Sequence, residues 1–105
     1  MNILFVCSRN EWRSPTAETI YKNHGTINAK SAGTSPSARI KVNQKHIDWA
    51  QLIFVMEKKH RQLIVQKFGD SLDMQKVIVL DIPDDYRYMD EELIQELRTK
   101  VAPYL

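Results

Sequence analysis

Five residues separate the only cysteine of the chain from an arginine, a spacing that suits a nucleophile and an anion clamp. Cys7 is followed by Ser8–Trp12, then by Arg13 and Ser14. A loop of this length can turn its backbone N–H groups inward around a tetrahedral anion, and a helix that starts after it adds positive potential. The same groups stabilise a thiolate, so Cys7 is predicted to be an activated nucleophile. Arg13 offers a planar fork for two phosphate oxygens, and Ser14 can donate its hydroxyl to the sulfur.

Short apolar runs and helical patterns must position this loop. Unbroken apolar runs are typical of strands covered on both faces, and strands are predicted at residues 3–6, 27–32, 52–56 and 76–80. Helices are predicted from about residues 14, 41, 57 and 91. Ser14 is expected to cap the first helix ahead of Pro15, and Asp90 to cap the last.

This alternation predicts an α/β fold, an open three-layer sandwich in which a parallel sheet of about four strands carries helices on both faces. Ligands bind such sheets beyond the carboxyl ends of the strands. The chemistry is therefore expected in the loops at 7–13, 33–37, 57–59 and 81–86.

Length, composition and charge limit the possible classes. The 105 residues predict one domain, 1–105, with 43% hydrophobic and 27% charged side chains, as in globular proteins. The net charge of +2 argues against a nucleic-acid partner. Residues 1–80 carry a charge of +6 and residues 81–105 a charge of −4, so a basic body precedes an acidic segment. A short apolar N-terminus and a single cysteine predict a cytoplasmic protein that does not enter a membrane.

The segment Val6–Glu18 resembles the phosphate loop and first helix of the low-molecular-weight protein tyrosine phosphatases. Three further stretches resemble motifs of this family in the same order: Ser31–Thr34 its second strand, Asp48–Glu57 its third strand, and Ile82–Tyr86 its general-acid loop. The resemblance spans nearly the whole chain and implies the phosphotyrosine phosphatase I-like, Rossmann-like fold.

The resemblance implies phosphomonoester hydrolysis through a phosphocysteine, without a metal or cofactor. Cys7 would attack phosphorus while the loop amides and Arg13 hold the equatorial oxygens. Asp84 would protonate the leaving group and then act as base on the attacking water. The expected substrate is a phosphotyrosine protein or a small aryl phosphate, and inorganic phosphate or sulfate is expected to fit the loop.

The resemblance also assigns supporting roles. It implies that Asn10 takes a left-handed backbone conformation, that Ser31 bonds to it, and that Ser14 favours the thiolate. Apart from the resemblance, Trp12, Tyr86 and Tyr88 could form aromatic walls for a phenyl phosphate, or could instead close the edge of the core. The expected substrate-binding residues are Ser8, Arg9, Asn10, Glu11, Trp12, Ser14 and Tyr86.

Several positions depart from the family pattern. Asp85 stands where proline usually follows the acid, which keeps Asp85 open as an alternative to Asp84, with Asp81 a remote third. The family typically has glycine at the position of Arg9, an apolar residue at Glu11 and often cysteine at Trp12. A carboxylate 4 Å from a phosphate charge costs about 1–4 kcal/mol, so Glu11 must point to the rim or the substrate differs. The shortened stretch between residues 34 and 48 predicts a shallower cleft.

Two other functions remain open. The chain could be a non-catalytic module that binds phosphate or a phosphoprotein on the same fold. An arsenate reductase is disfavoured because its chemistry relays oxidation through additional cysteines. His24, His46 and His60 have no metal-site spacing and are expected at the surface or at helix ends.

Overall fold

Four parallel strands form a single sheet in the computed structural model, which describes residues 1–105. In chain order the strands are β1 (Asn2–Cys7), β2 (Asn28–Gly33), β3 (Leu52–Val55) and β4 (Val77–Val79). Their spatial order is β2-β1-β3-β4, so β1 lies at the centre between two neighbours. Cys7 pairs with Gly33 across one side of this strand, and Val6 pairs with Val55 across the other. The end of β1 is therefore reached by loops from both sides.

Two helices cover each face of the sheet. They are α1 (Arg13–Tyr21), α2 (Gln44–Trp49), α3 (Lys58–Phe68) and α4 (Glu91–Val101), and three-residue 3₁₀ turns lie at 69–71, 74–76 and 102–104. Alternate residues of β1 pack with α1 and α4 on one face and with α2 and α3 on the other. This arrangement confirms the predicted three-layer sandwich. No helix combines the length and the hydropathy that crossing a bilayer requires.

The start of α1 differs from the prediction. The helix begins at Arg13, with Trp12 at the N-cap position and no side-chain cap, so the prediction that Ser14 caps it is wrong. The physical reason is that the Ser14 hydroxyl lies 2.9 Å from the Cys7 sulfur inside the first turn. At the last helix the Asp90 carboxylate accepts from the N–H groups of Glu92 and Leu93, which confirms that cap.

Candidate active site

The loop between β1 and α1 is held from outside by residues 34–39, which we call the clasp. Backbone N–H groups of the clasp donate to the carbonyls of Cys7 (3.0 Å), Ser8 (2.9 Å) and Arg9 (3.0 Å). The Arg39 Nε donates to the carbonyl of Asn10 at 3.1 Å. In a trans peptide the next N–H points opposite to the carbonyl, so the amides that follow these carbonyls face away from the clasp. The clasp thereby turns the loop amides towards one side, and we call this backbone arrangement, which can accept an anion, the cradle.

A small pocket opens above this cradle. Its volume is about 130 Å³, and its wall is formed by Cys7, Ser8, Arg9, Glu11, Trp12, Arg13 and Asp84. The thiol of Cys7 lies at the end of the central strand and is almost fully buried. The N-terminus of α1 adds its partial positive charge at the same place.

Gly33, opposite Cys7 on β2, lets the clasp approach the loop closely. A Cβ atom on Gly33 would lie 2.5 Å from the Ser8 carbonyl oxygen and 2.6 Å from the Ala38 Cβ. Neither distance is compatible with a side chain. The absence of a side chain at residue 33 is therefore a requirement of the cradle.

A buried chain of hydrogen bonds reaches the Cys7 sulfur from below the loop. Asn10 has a φ of +56°, and its Nδ2 donates to the hydroxyls of Ser14 and Ser31, both at 2.9 Å. The Ser31 hydroxyl donates in turn to Glu18 at 2.5 Å. Because Ser14 accepts from Asn10, its own proton can go to the Cys7 sulfur at 2.9 Å or to the carbonyl of Ala32 at 3.4 Å, and the contact with the sulfur is the shorter one.

Arg13 is a buried cation held on the β3 and β4 side of the pocket. Its Nη1 donates to the Glu57 carboxylate and, at 2.8 Å, to the carbonyl of Ile82. Its Nε lies 3.6 Å from Asp84 Oδ1. Burial raises the pKa of Glu57, but the hydrogen bond and charge of Arg13 outweigh it, and the net pKa lies below the ordinary value. An ionised Glu57 thus fixes the guanidinium in the pocket wall.

His60 contacts the loop from the first turn of α3, so it lies at a helix end as expected, but its side chain is completely buried and not at the surface. Its Nε2 lies 2.8 Å from the Ser8 hydroxyl, and its Nδ1 accepts from the N–H of Glu57 at 3.0 Å. Burial, followed by the charge of Arg13, lowers the pKa of His60 to about 4. The imidazole is therefore neutral near pH 7.

Two curated relatives are similar to the chain, although no family model matches it. Both are protein arginine phosphatases and both are 30% identical to the chain. The one from Geobacillus stearothermophilus matches over 95 residues, 68% of this chain and 64% of that protein. The one from Bacillus subtilis matches over 100 residues, 70% of this chain and 67% of that protein.

Among solved structures, the low molecular weight protein tyrosine phosphatase from Streptococcus pyogenes superposes with a TM-score of 0.81. The superposition covers 99% of this chain and 90% of that one at 18% identity. The chain belongs to the low-molecular-weight protein tyrosine phosphatase family. The resemblance noted in the sequence is thereby confirmed, and the chain spans about two thirds of the length of the relatives it matches.

The structure separates the two acids that the family pattern left open. Asp84 lines the pocket beside Arg13, with its side chain 58% exposed. Asp85 does not line it, and neither does Asp81, whose carbonyl instead accepts from Lys100 at 2.9 Å. Asp84 is therefore the only one of the three candidate acids in the pocket wall.

The other substrate-binding candidates fall into three groups. Ser8, Arg9, Glu11 and Trp12 lie on the pocket wall, whereas Asn10 and Ser14 lie in the hydrogen-bond chain beneath the loop. Tyr86 does not line the pocket, because its ring is half-buried against the core on the α1 and α4 face. The Glu11 carboxylate pairs with Arg9 Nε at 3.3 Å, as expected of a rim position.

Three side chains around the loop had no role assigned from the sequence: Glu18, Glu57 and His60. Two of them had a signal in the predicted topology. Glu57 and His60 follow a strand that neighbours β1, so a parallel sheet brings them near the end of β1. No group of three or more His, Cys, Asp or Glu side chains could hold a metal ion.

Proposed function

We propose that this chain is a protein phosphatase that transfers a phosphoryl group to Cys7 and then to water. The observation that carries the proposal is the Cys7 thiol on the wall of an amide-lined pocket, with the Ser14 hydroxyl 2.9 Å away and the buried Arg13 beside it. Preorganised donors of this kind stabilise the charge that develops on the transferred group. A reducing compartment such as the cytoplasm suits an unprotected catalytic thiolate.

The proposed substrate is phosphoarginine in a protein. Both curated relatives are protein arginine phosphatases. The pocket wall also carries the carboxylate of Glu11, which suits the positive charge of a guanidinium leaving group. This carboxylate would repel a phosphate dianion, but it would attract the cation to which the phosphoryl group is attached.

Phosphotyrosine is the second candidate substrate. Trp12 lines the pocket and is 41% exposed, so its ring face is accessible to a phenyl group. Tyr86 does not form a second aromatic wall, because it packs against the core and does not line the pocket. A direct comparison of the two substrates therefore decides between them.

In the proposed reaction, the Cys7 thiolate attacks phosphorus in line with the leaving nitrogen. The S–P bond forms as the P–N bond breaks, and Asp84 gives its proton to the departing guanidino nitrogen. Water then attacks the phosphocysteine while Asp84 accepts one of its protons. Inorganic phosphate leaves and the thiolate is restored. Arg13 would exchange its contact with Asp84 for phosphoryl oxygens during these steps.

The test compares the unchanged protein with Cys7→Ser on three substrates: a phosphoarginine peptide, a phosphotyrosine peptide and an aryl phosphate. We expect the substitution to lower turnover by about 10³-fold or more, since nucleophile replacements in covalent catalysis have effects of this size. We expect kcat/KM to be at least about 10-fold higher for phosphoarginine, as a charge-assisted contact of 1.5–3 kcal/mol gives.

Equal turnover by both proteins would refute the role of Cys7. Phosphate binding without turnover of any of the three substrates would favour the non-catalytic binding module. A higher kcat/KM for phosphotyrosine would replace phosphoarginine as the substrate and leave the phosphatase proposal in place.

A further inference from the structure

We propose that the Ser8 hydroxyl donates a hydrogen bond to the bound phosphoryl group and that His60 is the positioning residue that fixes this hydroxyl as a donor. The inference rests on the proposed function, because it assigns a further donor in the same pocket. It concerns two residues that a phosphate loop made of backbone amides and Arg13 does not require.

The contact joins two elements that are distant in sequence. Ser8 directly follows Cys7 and lines the pocket, whereas His60 lies in the first turn of α3. The Ser8 Oγ and the His60 Nε2 are 2.8 Å apart, and the His60 side chain is fully buried. Only one proton can lie between these two atoms. If it belongs to His60, the Ser8 hydroxyl keeps its own proton for another acceptor, and if it belongs to Ser8, that proton is used in this contact.

The backbone settles which nitrogen of His60 carries the proton. The N–H of Glu57 points at the Nδ1 of His60 at 3.0 Å, and an amide N–H can only donate. Nδ1 is therefore an acceptor without a proton, and in a neutral imidazole the proton resides on Nε2. Nε2 then donates to the Ser8 oxygen.

A charged imidazole does not fit this site. It would place a second proton on Nδ1, directly against the N–H of Glu57. Burial and the neighbouring Arg13 cation also oppose the charge and lower the pKa of His60 to about 4. The neutral form with its proton on Nε2 thus agrees with both the geometry and the electrostatics.

The consequence is that the hydroxyl proton of Ser8 is free. The oxygen accepts from His60, so the hydroxyl has one proton left to donate, and Ser8 is one of the residues that line the pocket. The Cys7 sulfur already has a hydroxyl partner in Ser14, which leaves the phosphoryl oxygens as the acceptors for Ser8. If His60 were the acceptor instead, the Ser8 proton would be used in that contact and lost to the ligand.

The experiment measures binding of inorganic phosphate by titration calorimetry. We expect Ser8→Ala to weaken binding about 10-fold, as loss of one hydrogen bond to a charged group does. His60→Leu should weaken binding about 3–10-fold, and His60→Gln should restore it to within about 3-fold, because the amide N–H can donate to Ser8. The matched controls Ser71→Ala and His24→Gln, at exposed positions outside the pocket, should bind as the unchanged protein does.

The double variant Ser8→Ala/His60→Leu separates positioning from packing. We expect it to bind phosphate within about 2-fold of Ser8→Ala alone, because His60 acts only through Ser8. The proposal would be overturned if the losses of phosphate affinity in Ser8→Ala and His60→Leu multiply in the double variant, or if Ser8→Ala leaves the phosphate affinity unchanged.

Nitrogen NMR shifts of His60 in the unchanged protein provide a test that needs no variant. A proton on Nε2 supports the proposal, and a proton on Nδ1 overturns it.

These outcomes are distinguishable from those of the proposed function. Phosphate binding needs no turnover. A protein whose phosphate affinity depends on Ser8 and His60 in this way, yet hydrolyses no phosphoryl compound, would refute the proposed function alone. If the protein is an active phosphatase but its affinity for inorganic phosphate is unchanged by substitution of Ser8 or His60, this inference alone is refuted.

Discussion

Acidification should destabilise this protein through His60. His60 has an ordinary pKa of 6.5 when the chain is unfolded and a pKa of about 4 in the folded state. Between these values the unfolded chain binds a proton that the folded chain does not bind. The free energy of unfolding therefore falls as the pH drops from about 6.5 towards 4. Above pH 6.5, the pKa of His60 in the unfolded chain, His60 is neutral in both states and the stability is fully retained.

The magnitude follows from the two pKa values. Linkage at 1.36 kcal/mol per pKa unit gives a loss of about 2 kcal/mol between pH 7 and pH 5. Stopping at pH 5 avoids the range of Glu57, whose lowered pKa places its contribution below 4.5. The pKa of His46 is also lowered, by burial and then by Lys30, so His46 adds a background change of the same sign.

The effect of His60 can be isolated by comparing the unchanged protein with His60→Gln. Both proteins are unfolded in urea at pH 7, 6 and 5, and unfolding is followed by the fluorescence of the two tryptophans. Both proteins share the background from His46, so the unchanged protein should lose about 2 kcal/mol more than the variant over this range. If the free energies of unfolding of the two proteins fall in parallel with pH, with equal m-values, then His60 is not buried as a neutral imidazole and the reasoning is refuted.

Three further predictions concern the loop and its rim. Gly33→Ala should lower the free energy of unfolding by about 1–3 kcal/mol or more, measured in urea, because the added Cβ meets the Ser8 carbonyl at 2.5 Å. Arg13→Lys should lower kcat for a phosphoryl substrate by about 10²-fold while the circular dichroism spectrum is retained, since an ammonium cannot bind two oxygens in one plane. Glu11→Gln should lower kcat/KM for a phosphoarginine peptide by about 5–10-fold and leave that for a phosphotyrosine peptide within 2-fold or raise it, because only the first substrate carries a cation there.

The sheet and the loop could be predicted from the sequence because their signals are local. The apolar runs around Phe5 and Phe54 are typical of buried parallel strands, and the parallel order then fixes which loops meet. Cys7 and Arg13 lie in one loop and Asp84 lies in another, and the strand order brings both loops to the same end of the sheet. Their positions around one pocket follow from the topology, without knowledge of any side-chain contact.

The features that could not be predicted from the sequence depend on contacts that tertiary structure sets. His60 stands among Lys58, Lys59 and Arg61, a pattern typical of a solvated helix start, and it is buried only in the folded protein, where it contacts Ser8 of the phosphate loop. Ser14 has the composition of a helix cap, but the Cys7 sulfur and Asn10 amide compete for its hydroxyl. Local propensity cannot weigh such a competition, because both competing partners are set by tertiary structure.

The clasp has a consequence for how the protein opens and closes. Its donors bind four consecutive carbonyls of the phosphate loop. Local unfolding of residues 34–39 therefore also removes the hydrogen bonds that hold the loop in its anion-binding conformation. The two segments form one cooperative unit, and an anion that binds the closed form raises the free energy of opening for both. Bound phosphate should therefore slow amide hydrogen exchange at Thr34 and Ser35, residues that do not line the pocket. Exchange protection in the clasp thus reports the occupancy of a site on the other side of the loop backbone.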